Sequence, residues 1–135
     1  MHPARFDNAA AALRFILAGS SVFTLKSGRT GQHYTFEVDA SEDGSMHFAK
    51  VRGGEDQAGH YIGFVGKGGR MVAGKKGKGD APSFKALDWT LAKLAAGAMP
   101  ETLEVWHEGR CGRCGRALTD PESIETGLGP ICRGK

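Results

Sequence analysis

The hydrophobic pattern changes period several times along the chain. Asp7 or Asn8 is placed to cap a first helix, where Leu13, Ile16 and Leu17 recur at helical spacing until Gly19 stops it. Alternation by two follows. Phe23 and Leu25, then Tyr34, Phe36 and Val38, with Gly28 and Gly31 between them, predict a β-hairpin. The string Ser41-Glu-Asp-Gly44-Ser marks the next reversal, because Asp-Gly readily takes the positive φ of a tight turn, and Met46 to Val51 reads as a third strand. Past a polar loop at residues 53–59, His60 to Val65 and Arg70 to Ala73 are expected strands joined through Gly66-Lys-Gly-Gly69. Pro82 suits the first turn of a second helix, whose stripe is Phe84, Leu87, Leu91, Leu94 and Ala95. Trp89 lies off that stripe, and Gly97 ends it. Thr102 to His107 is the last expected strand, with Leu103, Val105 and His107 sharing one face.

The order helix, five strands, helix, strand implies an α+β fold rather than an alternating α/β one. The expected architecture is an antiparallel β-sheet with two helices against one face, followed by a C-terminal zinc knuckle of shortened treble-clef type. The division expected is an α+β domain over residues 1–106 and a zinc-binding module over 107–135 packed on it. No internal repeat is visible, and Gly74-Lys-Lys-Gly-Lys-Gly79 is the one stretch that reads as a mobile loop.

Composition changes this picture little: 40% hydrophobic and 24% charged residues in a chain of 135 is ordinary for a globular protein. No apolar run approaches the roughly 20 residues needed to span a bilayer. The nearest, Ala9 to Ala18, is interrupted by Arg14. The first residues lack the basic-then-apolar order of a signal peptide, so a cytoplasmic protein with no membrane partner is expected. Charge is more informative. Behind a net charge of +3, residues 67–85 hold six basic side chains, Lys67, Arg70, Lys75, Lys76, Lys78 and Lys85, against Asp80 alone. A local excess of this size attracts polyanions even where the overall charge is modest.

The chemistry is concentrated at the other end. His107-Glu-Gly-Arg-Cys111-Gly-Arg-Cys114-Gly is written like a zinc knuckle: a tight reversal turns two thiolates toward one ion, and glycine supplies the backbone freedom. Cys132 returns a third thiolate after seventeen intervening residues, within the spacing of zinc modules. Three cysteines clustered at one end fit a metal better than a disulfide framework. A Cys111–Cys114 redox pair is the rival, but it lacks the strand-then-helix context of such motifs. His107 is the leading fourth ligand, since the final strand carries it toward the knuckle on the face of Leu103 and Val105. One structural Zn²⁺ held by His107, Cys111, Cys114 and Cys132 is therefore expected, with Asp120, Glu122, a partner chain or water as other ways to fill the fourth position. Leu118 and Ile124 would form a tiny core beneath it, too small to order itself without the metal.

The string Cys111-Gly-Arg-Cys-Gly-Arg-Ala-Leu-Thr-Asp-Pro-Glu-Ser-Ile, followed by Gly-Leu-Gly-Pro-Ile-Cys132, resembles the ending of an uncharacterised family of bacteriophage and bacterial proteins, in which a histidine matches His107. The Gly-Gly-Glu-Asp loop and the helix around Trp89 are similar to longer members. The resemblance implies zinc and a phage setting, and no activity, since the family is one of unknown function.

Other motifs fall short. Gly69-Arg-Met-Val-Ala-Gly74-Lys75-Lys76 nearly spells a phosphate-binding loop, but Lys76 stands where a magnesium-holding Ser or Thr is required. The zinc-deaminase signature fails because Glu108 directly follows His107 and the cysteine elements are in the wrong order. His2, His33, His47 and His60 are scattered, and no catalytic residue is assigned. The expectation is a non-enzymatic zinc protein that binds nucleic acid or a host nucleoprotein complex, with no small-molecule substrate. Lys67, Arg70, Lys75, Lys76, Lys78, Lys85, Arg110, Arg113 and Arg116 would contact phosphates, and Tyr34, Tyr61 or Trp89, if exposed, would stack on bases. A protein–protein inhibitor of a host defence or replication machine is the alternative, presenting the acidic stretches from Glu37 to Asp43 and from Glu101 to Glu108 to a basic surface. A zinc-dependent hydrolase would require an open metal position.

Overall fold

The structure, a computed structural model, describes residues 4–52, 59–66, 69–73, 82–118 and 121–129. The expected reversals produce a meander of antiparallel strands: β2 (Ser20–Ser27), β3 (His33–Ala40), β4 (His47–Arg52), β5 (Gly59–Val65) and β6 (Met71–Val72). The chain then forms α2 (Pro82–Ala95) and returns as β7 (Leu103–His107) on the far side of β2. There β7 also pairs with β1 (Ala4–Arg5), which closes a seven-stranded sheet of order β1-β7-β2-β3-β4-β5-β6. Both edge strands are two residues long, which limits the unpaired backbone offered to other chains.

Register follows from burial. Ser21, Phe23 and Leu25 of β2 oppose Val38, Phe36 and Tyr34 of β3, so one apolar face is continuous across the hairpin. The Phe23 and Phe36 rings stack at 5.6 Å. The opposite face is polar, with Thr24 and Thr35 hydroxyls 2.8 Å apart. A slip of one residue would exchange the two faces, so the hydrophobic pattern pins the pairing.

Two helices cover the apolar face. Helix α1 (Ala9–Ile16) begins as expected: the Asn8 side chain accepts from the Ala11 N–H at 3.0 Å. Its buried stripe is rotated from the expected one. Ala9, Ala12, Phe15 and Ile16 are buried, while Leu13 and Leu17 are only half-buried and border a cleft beside the C-terminal end of α2. Helix α2 buries Leu87, Leu91 and Leu94 as expected, but Ala95 is exposed. Thr90 takes a core position instead, its hydroxyl satisfied by the Ala86 carbonyl at 2.8 Å. A third helix, α3 (Pro121–Thr126), forms where only a folded turn was expected. Among the described residues, no helix is long and apolar enough to cross a membrane.

The α+β class and the antiparallel sheet thus agree with the sequence reading. The expected boundary between residues 106 and 107 falls inside β7, since His107 still pairs with Ala4 and Phe23. The Gly-Gly-Glu-Asp loop and the lysine-glycine stretch of residues 74–79 lie outside the described residues.

Candidate metal centre and basic surface

Beyond β7 the chain folds back on itself. An isolated bridge joins Arg110 to Ala117, the Cys111 N–H donates to the Arg116 carbonyl at 2.8 Å, and the Gly115 N–H returns to the Cys111 carbonyl at 2.9 Å. This turn holds Cys111 buried and leaves Cys114 exposed. The N–H groups of Arg113 and Gly129 both aim at the Cys111 sulfur, each at 3.4 Å. Burial pushes the Cys111 thiol up, but the N–H groups of Gly129, Cys114 and Arg113, together with the Cys114 thiol, outweigh it and bring it from 9.0 down to about 7. Donors arranged in this way stabilise sulfur as a thiolate, the form that binds metal.

The turn is keyed into the main body. Cys111, Leu118 and Leu128 form a second small core, with Ala18 and Ile124 packed against it. The Ser20 N–H donates to the Gly112 carbonyl at 2.7 Å, and the Gly112 N–H to that of Gly127 at 2.9 Å. Phe15 of α1 lies directly on both glycines: a Cβ at Gly112 or Gly127 would come within 2.6 or 2.5 Å of its ring. The Leu118–Ile124 core expected from the sequence is present, enlarged by Cys111, Leu128 and Ala18.

His107 sits fully buried between Phe6 and Phe15, with ring centroids 5.4 and 5.6 Å away. The Gly109 N–H donates to Nδ1 at 2.9 Å, and Nε2 bonds the Ile124 carbonyl. A carbonyl only accepts and an N–H only donates, so the ring is the neutral tautomer with its proton on Nε2. Burial holds its pKa below the ordinary 6.5, opposed by the bond to Ile124. Both nitrogens are therefore engaged by backbone, and metal binding at either requires one of these bonds to be exchanged. Among the described residues no three candidate ligands converge, and Cys132 lies outside them.

The basic residues divide into several settings. Lys67, Lys75, Lys76 and Lys78 lie outside the described residues, while Lys85 is exposed on α2. Arg113 and Arg116 are exposed on the knuckle turn, and Arg110 donates to the Gly115 carbonyl at 3.2 Å. Arg70 already has a partner. Its guanidinium grips Asp88 through two bonds of 2.8 and 2.6 Å, so its charge is already answered within the fold. Asp88 also accepts the Met71 N–H at 3.0 Å. The hydrogen bonds from Arg70 hold the Asp88 carboxyl below the usual range. This pair fastens α2 to β6.

Of the three aromatic residues singled out, Trp89 is the most open at 42% exposure, with the Lys93 ammonium 5.9 Å from its ring centroid. Tyr34 and Tyr61 are half-buried. The acidic stretches are engaged in part. Glu37 and Glu108 both close on Arg52, at 3.0 and 3.6 Å, Glu104 accepts from the Trp106 indole, and Asp43 is tied up by Ser41 and Ser45 in its turn. Sequence reasoning missed Lys26 and Arg29, which the β2–β3 turn brings beside Tyr34 and Trp89. The signal was present as two cations flanking a hairpin turn, but nothing local placed α2 over it.

No curated protein and no solved structure matches the chain. Residues 102–135, which include β7 and all three cysteines, match a family of unknown function, DUF6011.

Proposed function

We propose that this is a non-enzymatic, zinc-stabilised binding protein whose target is nucleic acid or a nucleoprotein complex. For the metal, the supporting observation is the buried Cys111 sulfur with two N–H donors on it and the Cys114 thiol beside it. That environment fits a thiolate ligand, and Cys132 would add the third sulfur. His107 completes the set once one of its backbone bonds is exchanged for the ion. The zinc is structural in this reading: it ties Cys132 to the knuckle and so orders the tail. The resemblance of the ending to phage and bacterial proteins favours a phage setting in a host cytoplasm.

Nucleic-acid binding is supported by the exposed Trp89 with Lys93 beside it and Lys85 on the same helix. An aromatic face beside several cations suits bases and phosphates together. The inhibitor reading remains the alternative, with Glu37 and Glu108 of its acidic stretches paired to Arg52 within the fold.

Two measurements test the proposal separately. Titration with Co²⁺ should give thiolate charge-transfer bands at one ion per chain, and Cys111→Ala should abolish them. A spectrum that His107→Phe leaves unchanged would remove His107 from the ligand set. Anisotropy titration with labelled DNA and RNA should show binding that weakens steeply with salt, and neutralising Lys75, Lys76 and Lys78 should reduce it. No measurable binding at low salt would refute that half.

A further inference from the structure

A cleft of about 460 Å³ opens between α2 and the turn joining β2 to β3. Trp89 lines it from the helix and Tyr34 from β3; Lys26, Arg29, Thr30 and Gln32 line it from the hairpin end, and among the described residues no acidic side chain lines it. The turn is braced internally. The Gly31 N–H donates to the Ser27 carbonyl at 2.8 Å, the Thr30 N–H to the Ser27 hydroxyl at 3.3 Å, and the Gln32 N–H to the Thr30 hydroxyl at 3.2 Å. Of two nearby carboxylates, Asp88 is held by Arg70, while Glu104, opposite Lys26 across the sheet, gives one oxygen to Trp106 and keeps the other 3.7 Å from where a Gly28 side chain would begin.

We propose that this cleft takes one unpaired nucleotide of a nucleic-acid strand, its base stacked on Trp89 and its phosphate met by Arg29. Three features of the cleft match the parts of a nucleotide. The aromatic rings offer a surface to a flat base, and stacking of this kind tolerates any base. The Gln32 amide supplies both donors and acceptors for a base edge. Arg29 stands in the hairpin turn that borders the cleft, on the side where a phosphate joined to the stacked base would fall. A duplex cannot use such a site without opening, because its bases are already stacked on one another. The proposal rests on the nucleic-acid reading above and sharpens it to single strands.

The test is a set of anisotropy titrations with the full chain, using a short labelled single-stranded DNA, the matching RNA and a DNA duplex of the same sequence, with competition by a nucleoside monophosphate. Single strands should bind more tightly than the duplex. Trp89→Ala should weaken single-strand binding roughly five- to a hundred-fold, the usual range for losing one stacked base, and Trp89→Phe should recover most of it. Arg29→Ala should lower the slope of log affinity against log salt by about one, and Lys26→Ala, which alters the opposite face of the sheet, should change it less. Trp89 is largely exposed, and unchanged circular dichroism would confirm that its variants fold. Wild-type affinity in Trp89→Ala, or equal affinity for duplex and single strand, overturns the cleft while leaving nucleic-acid binding in place. Binding of the monophosphate without any strand binding identifies a free nucleotide as the ligand and overturns the strand proposal. No binding of any probe overturns both.

Discussion

Replacing Gly127 by alanine tests how tightly the cysteine turn is fitted to the body of the protein. An added Cβ would stand 2.5 Å from one carbon of the Phe15 ring and 3.0 Å from the Phe6 ring, where ordinary contact begins near 3.4 Å. Phe15 is fully buried, so its ring has nowhere to retreat without moving α1 or His107. Overpacking of this kind costs about 1–3 kcal/mol. The backbone adds its own penalty, because Gly127 has φ of +74° and a side chain there costs about 1–2 kcal/mol. The expected loss is therefore about 2–5 kcal/mol. Gly115→Ala is the control: it has φ of +78° but nothing within 4 Å of an added Cβ, so only the backbone cost of about 1–2 kcal/mol applies. Urea denaturation followed by fluorescence supplies both values. In the double variant Gly127→Ala with Phe15→Leu, the smaller side chain should relieve the clash and give a coupling of about 1 kcal/mol or more. Equal losses at Gly115 and Gly127, or strict additivity with Phe15→Leu, would refute the fit described.

Two further changes probe the same core from other sides. His107→Phe keeps the packing on Phe6 and Phe15 but orphans the Gly109 N–H and the Ile124 carbonyl, for an expected loss of about 2–4 kcal/mol at neutral pH. Because burial lowers the folded-state pKa of His107 below 6.5, its contribution is complete above pH 6.5 and is lost as pH falls from there toward the lowered folded value, with a slope of at most about 1.4 kcal/mol per pH unit. Denaturation series between pH 7.5 and 5 should show that slope in the wild type and a flatter one in His107→Phe; identical slopes would rule out the buried neutral imidazole. Asn8→Ala removes the cap of an eight-residue helix that has no acidic residue in its first turn, and should cost about 1 kcal/mol by thermal or urea denaturation. A neutral result would mean that packing alone sets the helix start.

Periodic elements were legible because each residue reports its own burial. The β2–β3 hairpin could be read off Phe23, Leu25, Tyr34, Phe36 and Val38, and α2 off its leucines. What could not be read are features whose cause lies far along the chain. A two-residue β1 has no period, and it forms because β7 presents a free edge that Ala4 and Arg5 can pair with. The stripe of α1 turned toward Ala12 and Phe15 because that helix packs on α2, the sheet and the cysteine turn together, and Leu13 and Leu17 sit at the rim of that core beside the end of α2. Charge followed the same rule. Counting located the basic excess, but Arg70 is answered by Asp88 eighteen residues away on α2.

The candidate metal site shows how the two kinds of information combine. Sequence spacing alone marks Cys111 and Cys114, since a knuckle is a local turn. What lowers the Cys111 thiol toward neutral pH is in part the N–H of Gly129, reached only because the chain from α3 packs back on the turn. His107 takes part in that packing by bonding Ile124, and Phe15 by filling the space that glycine leaves at 112 and 127. A boundary between domains is expected where few contacts cross. Here the strand, the histidine, the aromatic pair and both glycines all bridge the division drawn at residue 107. The acidity of the Cys111 thiol is thus set by the fold as a whole, and changes in α1 should be felt at the sulfur.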